Sequence, residues 1–210
     1  MNIIQNYLNI KNEIQVLDRD VRLVVVSKGQ DINKIQLIIN QGHLDFGENK
    51  VQEATLKWTE ILKINKNINL HLIGNLQSNK AKDAFKIFNF IHSLDSEKLA
   101  KIFSNLEIIQ KKKINYFIQV NIGQELQKGG IAIHLAGEFI NYCKNDLKLN
   151  ILGLMCIPPA DQSSEFFFLK LRELNSINQL KYLSMGMSGD FKIAIKSGSN
   201  YVRIGSSIFN

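Results

Sequence analysis

Lys28 is the residue whose chemistry stands out. It follows Arg22-Leu23-Val24-Val25-Val26-Ser27, and turn residues Gly29 and Asp31 come after it. A lysine at the end of an interior strand is costly to desolvate unless it is paired or has a task. Desolvation and nearby cations lower a lysine's pKa and expose an amine that adds to aldehydes. Two other segments suit a phosphate. Gly186-Met187-Ser188 leads into a helical pattern, whose free N–H groups attract an anion. Gly205-Ser206-Ser207 follows the last apolar run and offers close backbone approach with two hydroxyls. Together these residues suit a phosphorylated aldehyde held as a Schiff base. A lysine that only counters the phosphate charge is the alternative.

The elements that must position these groups alternate regularly. Residues 3 to 17 carry apolar side chains at helical spacing and form a leading helix outside the main repeat. The pattern then predicts strands at 23–27, 44–47, 70–73, 90–94, 116–121, 151–155, 182–185 and 201–204. The helices between them are expected at 31–42, 48–62, 78–88, 96–109, 131–145, 161–174 and 188–196. Asp31, Ser78, Ser96 and Ser188 are the expected helix starts, and Phe166-Phe167-Phe168 reads as core packing.

Apolar strands alternating with helices imply right-handed parallel units buried on both faces. The fold class is α/β, and eight such units point to a single (β/α)8 barrel of the TIM type with an extra N-terminal helix. A doubly wound sheet is the alternative. The domain assignment is one domain over 1–210, with the leading helix at 1–18 and the barrel at 22–209. In such a barrel the site forms at the carboxyl ends of the strands. Those ends here carry Lys28, Glu48-Asn49, Gly74-Asn75, Asn121, Met155, Met187-Ser188 and Arg203-Ile204-Gly205-Ser206.

Composition narrows the class further. The chain has 210 residues and a net charge of +7. Only Lys111-Lys112-Lys113 is a compact basic run, and it reads as a solvated loop, so no nucleic-acid partner is expected. Cys143 and Cys156 make no disulfide framework, and the spacing of His43, His71, His92 and His134 suits no metal. No apolar run reaches the roughly 18 residues of a membrane span. The opening residues do not read as a signal peptide. No membrane partner and a cytoplasmic location are therefore expected.

Several segments resemble a known family. They are Val26-Ser27-Lys28, Phe46-Gly47-Glu48-Asn49 with Val51-Gln52-Glu53, and His71 through Lys80. Gly153-Leu154-Met155 with Ile157-Pro158, Leu183 through Ser188 with Asp190, and Val202-Arg203-Ile204-Gly205 with Ile208-Phe209 complete the set. In order and content they are similar to the pyridoxal phosphate homeostasis proteins, whose barrel is of the alanine-racemase type. The resemblance implies the vitamin B6 cofactor pyridoxal 5'-phosphate (PLP), with Lys28 forming the Schiff base. It implies that Ser188 and the backbone around Met187, Gly205 and Ser206 hold the phosphate. Arg203 would face the pyridine nitrogen and Asn49 the ring hydroxyl. Family members often carry threonine at the position of Ser206. Lys128 matches a Lys-Ser-Gly segment, here Lys128-Gly129-Gly130, and would be a second lysine near the site.

The implied role is PLP homeostasis without evident catalysis, with no catalytic residue assigned and no metal. Arginine donates to an unprotonated pyridine nitrogen, which makes the ring a weaker electron sink. In the alanine-racemase pattern a tyrosine from a second domain of another subunit supplies the second base. This chain is expected to lack that domain. The alternatives are a PLP-dependent racemase, a sugar-phosphate enzyme using Lys28 and Glu48, and a nucleic-acid binder. The expected partners are PLP and apo-enzymes that take it up, and the chain is expected to be a monomer.

Overall fold

The computed structural model describes residues 2–125, 127–160 and 162–210. The described strands are β1 (Arg22–Val26), β2 (Asp45–Glu48), β3 (Asn69–Leu72), β4 (Phe90–Leu94), β5 (Asn115–Gln119), β6 (Asn150–Met155), β7 (Tyr182–Met187) and β8 (Tyr201–Ile204). They are parallel, pair in chain order, and close when β8 pairs with β1. The expected TIM-type barrel is therefore the fold. Closure gives each described strand a neighbour on both sides, which removes free sheet edges.

Helix α1 (Ile3–Leu17) precedes the barrel, with Asn2 accepting from the Gln5 amide. It buries Tyr7, Ile10 and Ile14 in one core with Ile208 and Phe209, and the Asn6 amide donates to the Ile208 carbonyl. The outer helices are α2 (Ile32–Ile39), α3 (Val51–Ile64), α4 (Ala81–Ile87), α5 (Glu97–Gln110), α6 (Ala136–Asn141), α7 (Ser164–Ile177) and α8 (Phe191–Lys196). A last turn, α9 (Ser206–Phe209), was not anticipated.

Local chemistry explains most boundaries and several departures. Asp31 accepts from the Asn33 amide and Ser96 from the Leu99 amide, as N-caps do. Ser78 makes no cap: it opens a 3₁₀ turn over Ser78–Lys80 before α4. The expected helix at 131–145 is broken into a 3₁₀ turn, α6 and a π turn over Tyr142–Asp146. The expected start at Asp161 lies outside the described residues, and α7 opens at Ser164. Phe167 and Phe168 are buried but Phe166 is 62% exposed, because three consecutive helix positions cannot share one face. The basic run lies in a turn with Lys111 and Lys113 exposed, as expected, and Lys112 half-buried. Lys112 donates to the Phe85 carbonyl, and Lys113 pairs with the buried Glu107 carboxylate.

Two separate cores result. The larger fills the layer between strands and helices and includes Trp58, Phe85, Phe103 and Phe168. The smaller lies inside the barrel and joins Val24, Phe90, Phe117, Met155 and Tyr201. Among the described residues, no helix is long and apolar enough to cross a membrane.

Candidate functional site

A cavity of ≈ 490 Å³ opens at the carboxyl end of the barrel. Lys28, Asn49, Met187, Ser188, Arg203, Gly205 and Ser206 all line it, with Val26, Ile73 and Ile157 as its apolar wall. The seven residues expected from sequence to hold a cofactor thus share one space. They come from the ends of β1, β2, β7 and β8.

Lys28 stands differently from its sequence reading. β1 ends at Val26, and Lys28 lies two residues beyond, in an exposed turn. Burial is therefore not what singles it out. Its turn is instead held firmly on both sides. Ser27 Oγ donates to Glu48 Oε1 at 2.7 Å, and Lys57 Nζ donates to the Ser27 carbonyl at 2.8 Å. The Gly29 amide donates to Glu53 Oε1 at 2.6 Å. That bond, above all, lowers the Glu53 carboxyl pKa, with Lys57 adding to it. Gly29 takes a φ of +65°, a conformation glycine adopts without strain.

Glu53 and Lys57 were missed as positioning residues. Their i, i+4 spacing on one helix was the available signal. Glu48 also departs from expectation. It closes β2 rather than opening a helix, is fully buried, and its Oε1 accepts from Ser27, Lys57 and Trp58. It does not line the cavity, so the sugar-phosphate reading that used Glu48 loses its second group.

The anion-suited loops differ from expectation in detail. Ser188 does not open a helix: α8 starts at Phe191, after Asp190. Asp190 Oδ1 accepts from the Met187 amide at 2.6 Å and fixes the turn between. Gly186 makes that turn possible. Its φ is +94°, and a Cβ there would lie 2.5 Å from Ala194 Cβ. The β7–β8 register shifts at the same place, as a bulge does when it re-aims a strand end. Ser188 Oγ then accepts from the Ser207 amide at 3.4 Å, tying the two loops together. The amides of Ser188, Gly189, Gly205 and Ser206 donate to no acceptor among the described residues. A cluster of unpaired N–H groups lining one cavity suits an anion, and here it comes from turns rather than from one helix end.

Arg203 lines the same cavity from β8, in register with Met187 of β7. Its side chain is 3% exposed and forms no ion pair among the described residues. Nη1 donates to Ser184 Oγ at 2.7 Å and Nη2 to the Cys156 carbonyl at 3.0 Å. Its other N–H donors have no acceptor among the described residues. Burial lowers the Arg203 pKa, yet a guanidinium stays protonated throughout the working range. A cation in that position requires an acceptor from the cavity. Asn49 lines the same cavity, its backbone packed against Gly74, where a Cβ would lie 2.3 Å from the Asn49 carbonyl oxygen. The nearby Cys156 thiol is pushed up to about 12, first by burial, so it is not a nucleophile at neutral pH.

Lys128 sits next door. It lines a smaller cleft of ≈ 180 Å³ with Asn75, Gln119 and Asn121, and its Nζ donates to the Pro158 carbonyl. Ile157 separates the two spaces and belongs to both walls.

The family model of the alanine racemase N-terminal domain matches residues 1–210. A pyridoxal phosphate homeostasis protein of Pasteurella multocida is 35% identical over 99% of this chain and 95% of its own length. One of Aquifex aeolicus is 38% identical over 90% and 86%. This chain belongs to the alanine racemase N-terminal domain family and, within it, to the pyridoxal phosphate homeostasis proteins. PipY of Synechococcus elongatus, solved with PLP bound, superposes with a TM-score of 0.91 at 29% identity, covering 100% of both chains. Alanine racemase of Corynebacterium glutamicum shares the barrel, at a TM-score of 0.75 and 12% identity, over 99% of this chain and 60% of the racemase.

Proposed function

We propose that the chain binds PLP as a Schiff base on Lys28 and serves PLP homeostasis without turning over amino acids. One observation carries this reading. A primary amine, a buried unpaired guanidinium and a cradle of free backbone amides face a single cavity. PLP supplies an aldehyde for an amine, a pyridine nitrogen that accepts a hydrogen bond, and a phosphate. Lys28 matches the first. Arg203 donates to the second, and Asn49 lines the same cavity. Ser188, Gly189, Gly205 and Ser206 hold the third, and Met187 only places the turn, because its own amide is taken by Asp190. The relatives named above, and the PLP-bound form of PipY, support the same assignment.

Two features argue for storage rather than catalysis. Arg203 favours an unprotonated ring nitrogen, which withdraws electrons less than a pyridinium does. The described lining of the cavity supplies Lys28 as its basic amine, and we take it as the single base of the site. The remaining expectations follow as part of the proposal: a cytoplasmic monomer that releases PLP to apo-enzymes.

Absorbance decides the central claim. The full chain mixed with PLP gains the visible band of a protein-bound imine, and Lys28→Ala loses it entirely. An unchanged band in that variant removes the claim. Sustained conversion of L-alanine to its mirror form, read by a chiral assay, would instead establish a racemase.

A further inference from the structure

The barrel interior holds a line of polar groups that reaches Arg203 from the opposite end. It begins at Asp45, the first residue of β2, whose side chain is 19% exposed. His71 Nε2 lies 3.1 Å from Asp45 Oδ1. His71 Nδ1 lies 2.9 Å from His92 Nε2, and His92 Nδ1 lies 2.8 Å from Ser184 Oγ. Ser184 then meets Arg203 Nη1. His71, His92 and Ser184 are fully buried. The line crosses the barrel, because β4 and β7 lie on opposite sides of it.

Its ends determine the proton positions. A guanidinium only donates and an ionised carboxylate only accepts. With both imidazoles neutral, a single arrangement satisfies every contact. Arg203 donates to Ser184, and Ser184 donates to His92 Nδ1. His92 Nε2–H donates to His71 Nδ1, and His71 Nε2–H donates to Asp45. In this arrangement every group turns its acceptor side toward the buried cation and its N–H or O–H toward the carboxylate. Aligned hydrogen bonds polarise one another in a low-dielectric interior.

We propose that Asp45 is the remote counter-charge of Arg203, acting through a neutral His71–His92–Ser184 relay that sets how strongly Arg203 donates into the cavity. These four are positioning residues. No ion pair performs that task for Arg203 among the described residues; the Asp190 carboxylate acts on Arg203 through space, without a hydrogen bond to it, while its Oδ1 accepts from the Met187 amide. Burial first of all lowers the pKa of both histidines, in keeping with neutral rings. The other groups facing the line are His43 and Asn69 at Asp45, Arg22 at His71, and the Tyr201 ring beside both histidines. That the acceptor in the cavity is the PLP nitrogen rests on the function proposed above; the relay itself does not.

The first test uses the full chain without PLP. Side-chain ¹⁵N NMR is expected to find His71 and His92 neutral, both protonated on Nε2, at pH 7. A charged ring or an Nδ1–H form at either residue overturns the relay. Asp45→Asn keeps an acceptor for His71 and removes only the charge. It is expected to shift the His92 ring nitrogens, which residue 45 does not touch, and to weaken PLP binding about tenfold, or about 1.4 kcal/mol. Unchanged His92 resonances and unchanged affinity overturn the proposal. If Asp45→Asn fails to fold, Ser184→Ala reads the same loss by cutting the line, and Ser184→Thr restores it by returning the hydroxyl. Equal affinity in all three variants also sinks the idea. Failure of the wild type to take up PLP would refute the proposed function alone, since the NMR assignment stands apart from it.

Discussion

The two cores of this barrel solve opposite problems. The layer between strands and helices is mainly apolar, with Glu48 and Glu107 buried in it, and packs Trp58, Phe85, Phe103 and Phe168 at full burial. The barrel interior, usually filled by branched aliphatic layers, instead threads His71, His92, Ser184 and Arg203 among Phe90, Phe117 and Tyr201. The aromatic rings serve as walls there: His71 stacks on Phe90 at 4.2 Å and His92 on Phe117 at 4.6 Å between centroids. Stability comes chiefly from the outer layer. The inner one gives up apolar burial to hold a cation at the mouth of the site.

Substitutions in each region sharpen that contrast. Trp58→Ala in the outer layer removes a fully buried ring and a donor to Glu48, and is expected to cost about 3–5 kcal/mol in urea unfolding. His92→Leu in the inner line keeps the volume but leaves the buried His71 Nδ1 without its donor. Its expected cost is about 1–3 kcal/mol, together with weaker PLP uptake. An equal loss of stability with unaltered uptake would make the inner line mere packing.

Acid reads the same contrast by another route. Burial holds His43 at about 4 and lowers His71 and His92 as well. The unfolded chain, with ordinary histidines near 6.5, then binds more protons than the folded one. Stability is therefore full above about pH 6.5 and falls as pH drops toward 4, by up to about 1.4 kcal/mol per pH unit for each histidine. Melting temperatures across pH 4–8 measure it, and His92→Leu should flatten the slope. The smallest effect is expected on the surface: Phe166→Ala should stay within about 0.5 kcal/mol, although Phe167→Ala beside it falls in the range given for Trp58.

Much of the site was legible because chemistry and strand ends share a phase along the chain. Lys28, Asn49, Met187, Ser188, Arg203, Gly205 and Ser206 each follow or close an apolar run, and a parallel barrel collects such positions at one mouth. What was misread depended on backbone detail. Ser188 carries the signal of a helix cap, since Ser often is one. Here Asp190 fixes the turn, and the helix opens later. Lys28 was expected to be buried because its strand is, but the ladder ends two residues earlier.

The order of apolar and polar residues by itself determined eight strands, their parallel alternation with helices, and the group of residues able to meet a phosphorylated aldehyde. Only the tertiary structure decided that Glu53 and Lys57 brace the lysine turn, that the free amides lining the cavity come from turns, and that His71 and His92 touch. The reason is geometric. Periodicity reports which face of an element is buried, but barrel closure and register decide which groups from distant strands meet inside. Residues 92 and 184 lie far apart in sequence, and only the closed sheet brings His92 Nδ1 within 2.8 Å of Ser184 Oγ.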